Sequence, residues 1–134
     1  MPQYMVAIHH PDDFEPFSEG EDTVRDIDAL NDEMNAAGVI VFVGGMQPAG
    51  MAKSVRVRAG KSIVSDGPYL ETKEHIGGFW VLEVAGMDKA VEWGKKAAVA
   101  CRAPVEVRGF FSGAEAGREA RRRSSVLNCP SPGG

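Results

Sequence analysis

Two amphipathic helices, each lying between short apolar strands, constrain the fold of this chain most. In both segments apolar residues recur at three- and four-residue spacing, so one face of each helix is apolar. These residues are Val24, Ile27, Leu30, Met34 and Ala37 in the first helix and Ala90, Trp93, Ala97 and Cys101 in the second. Each helix therefore has one face to bury, and a sheet built from the flanking strands can cover it.

The ends of both helices carry residues that start or stop a helix. Ser18 followed by Glu21 fits a capping box, so the first helix is predicted to begin there. Gly38 lies where a left-handed C′ residue ends a helix. Asp88 is a candidate N-cap or first-turn acid for the second helix. The two helices are therefore predicted to have defined ends.

Short apolar or alternating runs predict the strands around these helices. The predicted strands cover residues 3–8, 39–43, 53–58, 61–65, 79–84 and 104–111. The runs at 3–8 and 39–43 are continuously apolar, which is typical of interior strands. Without the hairpin at 53–65, the order of elements is that of a ferredoxin-like split βαβ domain with two helices on one face of an antiparallel sheet. The predicted fold class is therefore α+β, with an inserted β-hairpin.

The other face of the predicted sheet has no cover within one chain. A half-apolar sheet of this size needs a partner, and a two-fold dimer in which the sheets face each other provides one. We therefore expect a homodimer.

The stretch 62–82, SIVSDGPYLETKEHIGGFWVL, carries the densest set of ionisable groups beside apolar sequence. The Asp-Gly-Pro step at 66–68 forces a turn, and the Gly-Gly step at 77–78 lets a backbone or a ligand approach closely. Asp66 and His75 are the candidate catalytic residues, because a carboxylate and an imidazole can transfer protons. A loop of solvated charges, with Asp66 as a turn former, explains the same residues without a reaction.

Four further residues are candidates for substrate binding: Tyr69, Lys73, His9 and Arg56. Tyr69 and Lys73 lie in the same stretch. His9 ends the first strand beside a second histidine, and neighbours in a strand point to opposite faces, so only one can enter a given pocket. Arg56 can bind an anion, although a charge that discourages edge pairing explains it equally well. No further His, Cys or carboxylate pattern completes a ligand set, so neither a metal nor a cofactor is expected.

The stretch 62–82 resembles the signature of the DGPF proteins, a branch of the YCII-related family. The matching residues are Asp66, Gly67, Pro68, Glu71, Thr72, Lys73, Glu74, Gly77, Gly78 and Phe79. Tyr69 stands where the family name has Phe. The likeness extends over residues 1–111 and includes Pro48, Trp93 and the Val-Glu-Val-Arg strand at 105–108. The resemblance implies a dimeric α+β barrel.

The resemblance also bears on function. The resemblance implies a His–Asp pair with the His early in the first helix, but the predicted first helix of this chain has no His. Only Asp66 has a counterpart, and His75 would be a replacement. Three functions follow as alternatives: a small-molecule enzyme, a non-catalytic ligand-binding or regulatory module of the kind associated with sigma factors, or a structural dimerisation domain.

Length and composition set the remaining limits. The chain has 134 residues, enough for one domain, which we place at 1–111, followed by an Arg-rich and then Ser/Pro/Gly-rich tail at 112–134. A net charge of −4 argues against nucleic acid as the main partner. No apolar run is long enough to span a membrane, and the first ten residues do not resemble a signal peptide, so a cytoplasmic location is expected. Cys101 and Cys129 are too few for a disulfide framework.

Overall fold

The computed structural model describes residues 1–15 and 17–127, and only the backbone of 125–127. Its strands are β1 (Gln3–Pro11), β2 (Ile40–Gly45), β3 (Lys53–Arg58), β4 (Lys61–Asp66), β5 (Glu74–Glu83) and β6 (Val105–Gly109). Its helices are α1 (Glu21–Ala37), α2 (Met87–Cys101) and α3 (Gly113–Leu127), with a short 3₁₀ turn at Ala49–Met51. Every predicted strand and helix therefore has a counterpart.

Four strands form one antiparallel sheet in the order β2-β5-β1-β6. This order, with α1 between β1 and β2 and α2 between β5 and β6, is that of a ferredoxin-like domain. β3 and β4 pair with each other as a separate two-stranded hairpin inserted before β5. Its turn, Ala59-Gly60, has positive φ at both residues, as a two-residue hairpin loop requires. The predicted α+β fold with an inserted hairpin is confirmed.

The core lies between the sheet and the two helices α1 and α2. Val6 of β1 pairs with Trp80 of β5, and both side chains are buried on the helix side of the sheet. Leu30 and Met34 of α1 pack against them, and the buried face of α2 is made of small residues. A Cβ at Gly94 would lie 2.7 Å from Cγ2 of Val107, so a glycine there lets α2 approach β6 closely.

The first helix differs from its prediction at the N-terminus and agrees at the C-terminus. Its N-cap is Gly20, without a side-chain cap, and the Ser18 hydroxyl donates to the carbonyl of Glu15 instead. The predicted capping box is therefore wrong, because the loop turns back on itself before the helix begins. Gly38 adopts the left-handed conformation with φ of 70°, and its N–H donates to the last carbonyls of the helix, as predicted.

β2 is an edge strand, not the interior strand that its apolar run predicted. Phe42 and its neighbours in this strand are exposed in the single chain. β5 also extends further than predicted, since it begins at Glu74 and includes His75. β1 likewise continues through both histidines to Pro11. These longer strands carry the histidines beyond the layer of helices, where a cavity forms.

Within the tail, the sequence favours a short helix at 115–123, and the structure has a longer one there, α3. Glu119 accepts hydrogen bonds from Arg122 and Arg123, and these bonds lower its pKa to about 2. The Ser/Pro/Gly-rich end of the predicted tail, which includes Cys129, lies outside the described residues. Within the described part of the chain, no helix combines the length and apolar character that crossing a bilayer requires.

Candidate functional site

A cavity of about 490 Å³ lies where β1, β2 and β5 extend past the helices. The loop between β1 and α1 closes one side of it, and the residues after β2 close the other. Its walls are made of His10, Pro11, Asp12, Phe14, Phe17, Glu19, Gly45, Met46, Gln47, Pro48, Ala49, His75, Ile76 and Gly77. The walls are mainly apolar with a few polar groups, which is the usual character of a small-molecule site.

His10 is positioned by an irregularity in the pairing of β1 with β5. The register shifts between Ile8 and His9, so Gly77 has no partner residue on β1. A Cβ at Gly77 would overlap Cδ2 of the His10 ring and lie 2.9 Å from Nε2. Only glycine therefore leaves room for this ring, which stacks on Phe14 with centroids 3.8 Å apart and planes at 4°.

The environment of His10 disfavours its charged form. Burial is the main cause that lowers its pKa; Glu19 acts in the opposite direction, and electrostatic repulsion from His9 lowers the pKa of His10 further. His10 is therefore neutral at physiological pH. In that state one ring nitrogen donates a hydrogen bond and the other accepts one.

His75 and Asp12 form the second polar element of the cavity wall. Nε2 of His75 lies 3.1 Å from Oδ1 of Asp12. The His75 side chain is 19% exposed and that of Asp12 is 67% exposed, so the imidazole is shielded while the carboxylate reaches solvent. The backbone N–H of Asp12 donates to the carbonyl of Lys73 at 2.7 Å, which ties the loop after β1 to the residues before β5.

A smaller cavity of about 250 Å³ lies deeper, between the sheet and α1. It shares His10, Glu19, Gly45 and Gly77 with the larger one. Asn31 lines it and accepts a hydrogen bond from Nε1 of Trp80 at 2.8 Å. Cys101 also lines it, and burial raises the pKa of its thiol to about 11, so this cysteine is a core residue as the helix pattern predicted.

The structure gives the two predicted catalytic residues different partners. Asp66 ends β4, its side chain is 84% exposed, and its carboxylate pairs with Lys53 on β3. His75 lies against Asp12, so the structure does not pair Asp66 with His75. The reason is the hairpin: Asp66 belongs to the two-stranded sheet, whereas His75 belongs to the main sheet.

The predicted substrate-binding residues are spread over the surface. His9 and Tyr69 line an open groove that also contains His75, on the outer side of the cavity. Lys73 lines a shallower groove with His9. Arg56 is exposed on the hairpin and lines none of these sites. The structure thus brings His9 and Tyr69 near His75 and leaves Arg56 apart.

Sequence reasoning missed Asp12, His10 and Glu19 as site residues. The sequence carries a signal, because adjacent histidines end the first strand and the following loop contains two Phe residues, Phe14 and Phe17, that can cover a cavity. Packing of these two rings against the start of the first helix is the interpretation that the sequence favours. The structure instead places Phe14 on His10, and Phe17 is exposed at the cavity.

Comparison with known proteins agrees with this architecture. The YCII-related domain matches residues 2–109, most of the chain. The chain belongs to the YCII-related family. An uncharacterised protein of Rhizobium meliloti (strain 1021) is 35% identical over 77 residues, which are 58% of this chain and 62% of that protein. This YCII-related chain therefore spans less than two thirds of the curated relative it matches.

The family match covers β1 to β6 and so includes every residue of the cavity wall. The resemblance implied a His–Asp pair with the His on the first helix, and α1 of this YCII-related chain has no His. Here an imidazole on β5 and a carboxylate after β1 meet across the cavity wall instead.

Proposed function

We propose that this YCII-related domain is a small-molecule enzyme that transfers protons, with His75 and Asp12 as its acid–base pair. The observation that carries the proposal is the 3.1 Å contact between a shielded imidazole and a carboxylate in the wall of a cavity of about 490 Å³. Imidazole gains and loses a proton near neutral pH, and a neighbouring carboxylate orients the ring and stabilises its charged form. The apolar walls hold the ligand and exclude water.

Asp12 takes the role that the sequence suggested for Asp66. Because Asp66 is exposed and paired with Lys53, its expected contribution is to the hairpin. An exposed ion pair of this kind contributes at most about 1 kcal/mol to stability. Asp66→Asn is therefore a matched control for Asp12→Asn, since both changes remove one carboxylate charge and keep the shape of the side chain.

The experiment follows deuterium exchange at the activated C–H groups of phenylacetone in D₂O by proton NMR. We expect the wild type to accelerate the exchange and His75→Gln to remove most of the acceleration, since one acid–base group contributes about 10²-fold or more. Asp12→Asn should reduce it at least tenfold, and Asp66→Asn should leave it unchanged. If Asp66→Asn is the damaging change, the acid–base assignment is wrong.

The same cavity supports a second candidate, a ligand-binding module without catalysis. Its apolar walls, which include Phe14 and Ile76, bind an apolar ligand whether or not a reaction follows. Binding of phenylacetone by the wild type without acceleration of exchange would favour this candidate.

We propose in addition that a second copy of the chain covers the outer face of the sheet. Phe42 and Phe79 lie on this face with ring centroids 5.6 Å apart. Val81 of β5 lies beside them, because it pairs with Phe42 of β2 on one side and with Met5 of β1 on the other. An exposed apolar sheet face of this kind is typical of an interface, and two-fold pairing is the commonest form. Light scattering should give the mass of two chains, and Phe42→Glu should give the mass of one. A wild-type mass of one chain at micromolar concentration would contradict the proposal.

A further inference from the structure

We propose that the cavity takes a small organic cation with an aromatic or other apolar part, held by Phe14, Phe17 and the carboxylates of Asp12 and Glu19. The inference rests on the proposed function, because it assigns the ligand class of the same cavity. Three observations support it: the sign of the charges in the wall, the placement of two aromatic rings, and the acidic first turn of α1.

The charged side chains of the cavity wall are acidic. Asp12 and Glu19 line it, and among the residues that the structure describes no Lys or Arg does. His10 is neutral, because burial holds its pKa down. A proton on His75 would offset at most one of the two carboxylates. The wall is therefore negative in either state, so it attracts a cation and repels a carboxylate or a phosphate.

Two phenylalanines add a second means of holding a cation. Phe14 lines the cavity and is fixed in place by its stacking on His10. Phe17 also lines it, although its side chain is 99% exposed and packs against almost nothing in the fold. Its backbone has φ of 64°, a left-handed conformation that is unusual for a bulky residue and that occurs in turns and in ligand-binding loops. Aromatic faces together with carboxylates are typical of sites that bind ammonium groups.

The N-terminus of α1 is the feature that would favour an anion instead. It follows directly after Glu19, and the positive end of a helix dipole attracts negative charge. In this chain, however, Glu21 and Asp22 already occupy the first turn. These carboxylates oppose the dipole, so the helix end does not reverse the sign of the site.

The probes for the test are four compounds that each carry one phenyl ring: benzylamine, benzyltrimethylammonium, benzyl alcohol and benzoate. Saturation-transfer NMR at pH 7 and low salt gives their affinities for the full chain. We expect both cations to bind about tenfold more tightly than benzoate, with benzyl alcohol in between. Added salt should weaken the binding of the cations and leave that of the alcohol unchanged.

Two variants connect the binding to the named residues. Glu19→Gln should weaken the binding of both cations several-fold. Glu92→Gln removes the same charge from an exposed position on α2 and should leave their binding unchanged. Phe17→Leu keeps the apolar bulk but removes the aromatic face. It should weaken the binding of benzyltrimethylammonium and leave that of benzyl alcohol unchanged. Because Phe17 is exposed, the variant should keep the melting temperature of the wild type, and this measurement shows that it is folded.

The possible outcomes separate this inference from the proposed function. If benzoate binds as tightly as the cations, or if Glu19→Gln has no effect, the cation assignment is wrong while the cavity remains a ligand site. If none of the four compounds binds, both the cation assignment and the use of this cavity for ligands are contradicted.

Discussion

Gly77→Ala tests whether the His10 ring is held in a space that only glycine leaves open. The new Cβ would overlap Cδ2 of His10 and lie 2.9 Å from Nε2 and 3.0 Å from Cγ, whereas relaxed carbon contacts are about 3.5–4.0 Å. The ring must therefore move and lose its stacking on Phe14. Overpacking of this kind costs about 1–3 kcal/mol, and an aromatic stacking pair contributes about 0.5–1.5 kcal/mol.

A double-mutant cycle isolates this cause. The φ of Gly77 is not positive, so alanine can adopt the backbone conformation, and the loss of chain entropy in the unfolded state favours alanine by about 0.4–1 kcal/mol. We therefore expect Gly77→Ala to lower the free energy of unfolding by about 1–3 kcal/mol in the wild type. In a His10→Ala background the same change should be neutral or stabilising by up to about 1 kcal/mol.

The assay is urea unfolding of the four proteins, with tryptophan fluorescence as the signal. Gly45→Ala serves as a control in the same cavity wall, because no atom of the described residues lies within 4 Å of its added Cβ. It should change the free energy of unfolding by less than about 0.5 kcal/mol. An equal cost for Gly77→Ala with and without the His10 ring would refute the reasoning.

Three further predictions follow from the same region. Gly78→Val should lower the free energy of unfolding by about 1–3 kcal/mol. Its Cβ would lie 3.0 Å from the carbonyl oxygen of Gly44, a backbone atom that cannot rotate away. An unchanged melting temperature would contradict this prediction. The pKa of His10 is lowered in the folded state. Its contribution to the free energy of unfolding is therefore complete above about pH 6.5, the pKa of an unfolded histidine, and is lost as the pH falls through the lower pKa of the folded state. The wild type should thus lose more stability than His10→Phe between pH 7 and pH 5 in urea unfolding, and parallel losses would count against this. Burial raises the pKa of the Cys101 thiol to about 11, so in a folded Cys129→Ser variant it should not react with Ellman's reagent at pH 8. The same thiol should react in urea. Rapid labelling without urea would contradict the prediction, because it would show that the thiol is accessible in the folded protein.

The sequence by itself determined the fold class and the order of the helices and strands along the chain. The three- and four-residue spacing of α1 and α2 requires one buried face on each, and the short strands between them leave few arrangements that bury both. Gly38 ended its helix as predicted, because its αL conformation depends on that residue alone. Helices and their ends can be predicted from the sequence, because each depends on residues close together in the chain.

The composition of the candidate site was decided only by the tertiary structure. Asp66 is nine positions from His75 in the chain, yet it belongs to another sheet, and Asp12 reaches His75 from 63 positions away. The edge position of β2 also follows from strand order, which its apolar run does not encode. Which carboxylate meets the imidazole depends on the pairing of β1 with β5 and on the bulge at Gly77. Such contacts join residues that are distant in sequence, so no local pattern specifies them.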